Sequence, residues 1–326
     1  MSTKPVVVVL HNENRPSRDA LAPVTERAEV RFTEADGLAE AMDGADVVFA
    51  YDFLSTALAE AWHAAGSVEW VHIAAAGVDP LMTPEVRESD VVITNSRGVF
   101  DDAIAEYVLG QVLSFAKDLP RSLRLQDEAT WQHRESERVA GTRALVVGTG
   151  PIGRAVARLL RAAGLEVSGS GRRERAGDPD FGDVSATEDL HEALGRADWV
   201  VAIAPLTDQT AGMFDADAFA AMGPHARFIN VGRGELVRTD DLVAALRSEQ
   251  IAGAALDVVD PEPLPEDHPL WTLPNVMITP HNSGDFVGWR DALVDLFAEN
   301  FVRWVDGRPL DNVVDTSLGY VPTTRS

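Results

Sequence analysis

ALVVGTGPIG, Ala144 to Gly153, followed by RAVARLLRAA, Arg154 to Ala163, decides the fold. The apolar run reads as a buried strand, the glycines at 148, 150 and 153 as a tight turn, and the good helix formers after them as the helix which that turn opens. This order points backbone N–H groups and the positive end of a helix dipole at one spot, while glycine lets the backbone approach whatever anion sits there. Gly148, Gly150, Pro151, Ile152 and Gly153 are therefore candidate contacts to a pyrophosphate. Pro151 suits the first helical turn, where no N–H is required. The glycine spacing without this setting would mean little, because alanine- and glycine-rich chains produce it by chance.

Outward from the turn, short β-branched runs alternate with alanine-rich helical stretches, the pattern of parallel sheets with crossover helices. Upstream, residues 6–10, 46–51, 69–73 and 91–94 read as strands of a first α/β unit, and residues 101–118 as a long helix with Asp101 and Asp102 at its positive end. Downstream, residues 166–170, 199–204, 227–231, 253–258 and 276–279 join the strand before Gly148 to make a full dinucleotide fold. A last helix near 285–306, carrying Trp289, Leu293, Leu296, Phe297 and Trp304, returns the chain to the first unit. The expected class is α/β with two doubly wound parallel sheets. A Rossmann nucleotide-binding domain covers 101–284; a smaller, discontinuous flavodoxin-like substrate domain is built from 1–100 and 285–326, its tail from Ser317 loosely held.

A length of 326 residues suits two such domains. The formal charge of −24, from 52 acidic against 28 basic residues, argues against nucleic acid or an anionic membrane as partner. Absence of cysteine rules out disulfides, a thiolate nucleophile and a cysteine-ligated metal, and fits a reducing cytoplasm. No carboxylate–histidine cluster has metal-ligand spacing, so no metal is expected. The apolar run at Val6–Leu10 is too short for a signal segment or a membrane span.

Three charged residues follow the glycine turn: Arg233 in NVGRGELV, Glu262 in LDVVDPEPLP and His281 in ITPHNSG. A cation, an acid and an imidazole behind a nucleotide fold are what reversible reduction of a 2-keto acid requires. Arg233 can grip a carboxylate with its fork and polarise the adjacent carbonyl. His281, at the end of the last strand, can protonate the substrate oxygen and take the proton back in reverse. Glu262 would stabilise the imidazolium. Taken singly, each is more often a loop residue; it is their joint occurrence that points to catalysis. An NAD-binding fold places an acid about 20 positions beyond the turn, for the ribose hydroxyls. Here the place reads Ser168, Gly169, Ser170, Gly171, Arg172, Arg173. Glycine leaves room for a 2′-phosphate and an arginine can bond it, so NADP(H) is favoured over NAD(H), with two solvated loop arginines as the alternative.

With AAAGVD at Ala74 to Asp79 and APLTDQT at Ala204 to Thr210, these motifs resemble, in matching order from about residue 45 to 310, the D-isomer-specific 2-hydroxyacid dehydrogenases. Loss of the ribose-binding acid is similar to the NADPH-using glyoxylate and hydroxypyruvate reductases. The resemblance implies that Pro205, Thr210, Val231, Gly232, Ser283 and Gly284 also touch the cofactor, and that Asp257 receives the nicotinamide carboxamide. It implies that Ala76 and Gly77 offer N–H groups to the substrate carboxylate, that the domains close about residues 100 and 285, and that the protein is a homodimer. Tyr51 and Phe53 either wall the substrate side chain or belong to the core. A nucleotide-sensing, corepressor-like binding protein on the same fold is the competing function.

Overall fold

Two parallel-stranded sheets form, one in each of two units: Met1–Val99 with Phe286–Ser326, and Phe100–Asp285. The computed structural model describes residues 4–322 apart from Leu54.

In the first unit, β1 (Val6–Leu10), β2 (Glu29–Thr33), β3 (Val47–Ala50), β4 (Trp70–Ile73) and β5 (Val92–Asn95) pair in the order β2-β1-β3-β4-β5. Every pair is parallel. This is the flavodoxin-like winding. The interior strands β3 and β4 are buried along their whole length, as continuous apolar runs covered on both faces must be. EVRFT, which forms β2, escaped the sequence reading because it lies at the sheet edge and its side chains stay half exposed. The returning helix Trp289–Val305 begins later than its apolar pattern suggested, after Gly288 in the left-handed region. Its Phe297 stacks on Phe49 with ring centroids 4.0 Å apart. The tail departs from expectation. Asp315 pairs with Tyr320, and Arg97 donates to the carbonyls of Val321 and Pro322, so the described part is tied down. Residues 323–326 lie outside the described residues.

The second unit carries β6 (Arg143–Val147), β7 (Glu166–Gly171), β8 (Arg175–Asp178), β9 (Gly182–Ala186), β10 (Trp199–Ala202), β11 (Arg227–Asn230), β12 (Gly253–Leu256) and β13 (Val276–Ile278), in the order β13-β12-β11-β10-β6-β7-β9-β8. Only β8, at one edge, runs antiparallel. RAGD and GDVSA, which form β8 and β9, have no apolar run to announce them. Their stability comes from Phe181, fully buried between them, and from Arg154, which binds Asp178 and Asp180 at 2.9 and 2.7 Å. The winding reverses at β6, between β7 and β10, and ligands of such sheets lie beyond the carboxyl ends of the strands at that point. The long helix spans Asp101–Ala116, two residues shorter than expected, and Asp118, at φ 50°, opens a separate helix, Leu119–Asp127. Among the described residues no helix is long and apolar enough to cross a membrane.

Candidate active site

Each of the three glycines after β6 meets a different steric demand. Gly148 has φ 118°, and a Cβ there would lie 2.6 Å from the Ile203 carbonyl. A Cβ on Gly153 would lie 2.0 Å from the Gly148 oxygen, so the helix Pro151–Ala162 can pack this close to the strand only with glycine. A Cβ on Gly150 would meet nothing within 4 Å. Open space at the second glycine, directly before an uncapped helix start with Pro151 and Ile152, is the approach that a pyrophosphate needs. At the end of β7 the Ser170 hydroxyl is buried without a hydrogen-bond partner, a group that a bound ligand or water would complete. The residues present fit a dinucleotide.

Beyond Ser170 come Gly171, which ends the strand, and the exposed Arg172, Arg173 and Glu174, so no acid stands at the strand end itself. Asp178 and Asp180 of the β8–β9 hairpin are engaged by Arg154, whose bonds hold the Asp178 carboxyl down at about 2. After β10, Pro205 is exposed and Thr210 folds the loop, donating to the Pro205 carbonyl at 2.6 Å and accepting from the Thr207 N–H at 2.9 Å. Val231 and Gly232, after β11, are buried.

Arg233 follows in extended backbone, and two neighbours, Asn230 and Gly234, set its place. Asn230, 1% exposed, accepts from the Gly232 N–H at 3.1 Å and donates to the Arg233 carbonyl at 2.9 Å, closing the turn upon itself. A Cβ on Gly234 would lie 2.0 Å from the Val259 carbonyl oxygen, so glycine alone lets this turn press against the Val259–Glu262 turn. Glu262 accepts from the Val259 N–H at 2.9 Å with one oxygen and bonds His281 Nδ1 at 2.9 Å with the other. Burial raises the Glu262 carboxyl, but its bonds to His281 and the Val259 N–H, with the charges of His281 and Arg233, bring it below the ordinary carboxylate range. Arg233, Glu262 and His281 thus meet at the strand ends. With Nδ1 on the carboxylate, His281 Nε2 has no protein partner among the described residues.

His281 has φ 52°, a left-handed backbone that costs a residue with a Cβ about 1 kcal/mol or more. Asp257, 2% exposed after β12, holds it there. One carboxylate oxygen accepts from Thr279 Oγ1 at 2.6 Å and from the Asn282 N–H at 3.0 Å. The other accepts from the Ser283 N–H at 3.0 Å, and the Asp257 carbonyl accepts from the His281 N–H at 2.8 Å. Three donors fill three of the roughly four acceptor positions that a carboxylate offers, leaving one for a ligand. Ser283 is buried, and a Cβ on Gly284 would lie 2.9 Å from the Phe100 ring.

On the first unit, Ala76 and Gly77 are half buried in the loop after β4, whose shape is fixed by bonds from the Asn95 side-chain amide to the Ala76 carbonyl and from the Ser96 N–H to the Ala75 carbonyl. Tyr51 is buried, edge-on to Phe49 at 5.5 Å, and Phe53 meets Trp289 edge-on at 5.9 Å. Both rings pack within their own unit.

A family model, the D-isomer specific 2-hydroxyacid dehydrogenase NAD binding domain, matches residues 109–283, the span that carries the glycine turn, Arg233, Glu262 and His281. The chain belongs to that family. The glyoxylate reductase/hydroxypyruvate reductase of Homo sapiens is 32% identical over 243 residues, covering 72% of this chain and 73% of its own. Among solved structures, a D-isomer specific 2-hydroxyacid dehydrogenase from Xanthobacter autotrophicus in complex with NADPH and MES is 30% identical with a TM-score of 0.81, over 96% of this chain and 99% of its own. An NADPH-dependent glyoxylate/hydroxypyruvate reductase from Sinorhizobium meliloti in complex with NADP and sulfate is 28% identical with a TM-score of 0.84, over 98% and 100%.

Proposed function

We propose that this dehydrogenase reduces a small 2-keto acid to the D-2-hydroxy acid, prefers NADPH to NADH, and runs the reverse oxidation at the same site. The observation that carries the reading is the 2.9 Å bond between His281 and Glu262, on the strand-end edge that also holds the glycine turn and Arg233. Nicotinamide, when bound, supplies the hydride. Because Glu262 occupies Nδ1, the proton for the substrate oxygen leaves from Nε2, and the ionised Glu262 keeps the ring oriented and favours its charged form. Arg233 pairs with the substrate carboxylate and draws electron density from the carbonyl as charge builds on oxygen. The acceptor position left on Asp257 suits a carboxamide N–H. The N–H groups around Gly150 to Ile152 suit the pyrophosphate.

The cofactor preference draws support from Gly171, Arg172 and Arg173 where an acid would otherwise stand, and from the NADPH and NADP held by the two similar structures. A homodimer draws support from the second unit, where Leu113, Leu119, Leu123 and the fully exposed Trp131 present apolar surface along one stretch of chain. The test is a panel of glyoxylate, hydroxypyruvate, pyruvate and bulkier keto acids, assayed with NADPH and with NADH. Turnover of the small acids is expected; cofactor binding without turnover on any of them would refute the enzyme in favour of a nucleotide-sensing protein.

A further inference from the structure

Tyr107, on the helix Asp101–Ala116, brings its hydroxyl to 2.6 Å from Thr279 Oγ1. Thr279 has one hydroxyl proton, and it donates that proton to an Asp257 carboxylate oxygen. The Tyr107 hydroxyl must then donate to Thr279. A directed chain results, from Tyr107 through Thr279 to Asp257, and the carboxylate at its end also binds the two N–H groups just past His281. Asp257 grips this segment on both sides of the histidine: at Thr279 before it and at Asn282 and Ser283 after it. The histidine itself sits in left-handed backbone, which a residue with a Cβ adopts at a cost.

We propose that Tyr107 and Thr279 are positioning residues for proton transfer, acting through Asp257 to hold His281 in its left-handed pose. The inference rests on the reading of His281 as proton donor. Burial pushes the Tyr107 hydroxyl up to about 12, so the chain keeps its first donor at any pH at which the enzyme would work. Thr279 orients Asp257 by filling one of its acceptor positions, and a carboxylate free to rotate would release the Asn282 and Ser283 amides. Displacement of a catalytic group by about 1 Å costs a factor on the order of 100 in rate, which makes the hold on the turn matter more than its distance from the chemistry suggests.

The experiment compares Thr279→Val, Thr279→Ser and Tyr107→Phe with wild type, and His281→Ala as reference, by steady-state kinetics with glyoxylate and NADPH and by amide hydrogen exchange over residues 279–284 in the protein alone. Thr279→Val is expected to lower kcat by about 10- to 100-fold with KM for NADPH changed less than about threefold, and Thr279→Ser to restore most of it. Tyr107→Phe, which removes one oxygen and keeps the ring, is expected to lower kcat by about 3- to 10-fold, the size of one hydrogen bond. Exchange of the Asn282 and Ser283 amides should quicken in the valine and phenylalanine variants and not in the serine variant. Should Thr279→Val fail to fold, Tyr107→Phe decides. Wild-type kcat and exchange in Tyr107→Phe, while His281→Ala has lost turnover, would overturn the positioning role alone. A rise in KM for NADPH at unchanged kcat would also overturn it, since the chain would then serve cofactor binding. Near-full turnover in His281→Ala would remove the proton-donor reading itself.

Discussion

Acid should loosen the first unit through one buried histidine. His72, on β4, is fully buried among Phe49, Trp70 and Phe297. Trp70 Nε1 donates to Thr94 Oγ1 at 2.8 Å, Thr94 lies 2.8 Å from His72 Nδ1, and Ser96, which donates to the Ile73 carbonyl at 3.1 Å, lies 3.3 Å from Nε2. Every donor finds an acceptor if Thr94 donates to Nδ1 and the neutral ring donates from Nε2, so a second ring proton has no place. Burial accordingly lowers the imidazole from its ordinary 6.5 to about 3. The folded value is depressed, so as pH falls the unfolded chain takes up its proton first. Stability is full above about 6.5, declines through the window down to about 3, and is not lost further below it. The whole window corresponds to about 5 kcal/mol, of which about 2 kcal/mol is lost between about pH 8 and about pH 5. Against a typical total of about 5–15 kcal/mol that loss is large, and it should move a urea midpoint by about 1 M. The assay is urea unfolding at both pH values, followed by tryptophan fluorescence, for wild type and His72→Gln. Protonation of the many surface carboxylates acts on both proteins alike, so the difference in pH dependence isolates the histidine. Equal pH dependence in the two would refute the reasoning.

Four further outcomes follow from the second unit. Arg233→Lys keeps the charge and loses the fork, so it should raise KM for the keto acid and lower kcat together; wild-type kinetics would show a loop residue. Arg172→Ala should raise KM for NADPH by about 10- to 150-fold, the worth of one charge-assisted bond, and leave that for NADH nearly unchanged, whereas equal loss of both would refute a 2′-phosphate contact. Gly171→Asp should shift preference toward NADH: its Cβ would lie 2.9 Å from Thr149 Oγ1, a side-chain end that can turn away. Gly234→Ala should lower stability by about 1–3 kcal/mol and reduce turnover sharply, because its Cβ would lie 2.0 Å from a backbone oxygen that cannot turn away; a wild-type melting temperature would refute the close approach.

Local pattern carried much of this protein. Periodicity and glycine spacing were enough for the α/β class, the two sheets and the nucleotide turn, because strand, turn and helix signals act over a few neighbouring residues; Arg233, Glu262 and His281 became candidates through their joint occurrence behind that turn and the family resemblance of their motifs. What stayed hidden depends on residues far apart in sequence. Edge strand β2 and the β8–β9 hairpin have no apolar run of their own, and the hairpin holds because Arg154 reaches across to Asp178 and Asp180. No spacing announces that Gly234 is required by the Val259 carbonyl, or that Tyr107 stands against Thr279. The roles of Tyr51 and Asp257 likewise turn on neighbours: an aromatic beside a strand proved to be packed on Phe49, and an acid expected to face a ligand proved to spend most of its acceptor positions on the turn that carries His281. Residue type limits which bonds a side chain can make; only the folded chain decides which partners stand within 3 Å to make them.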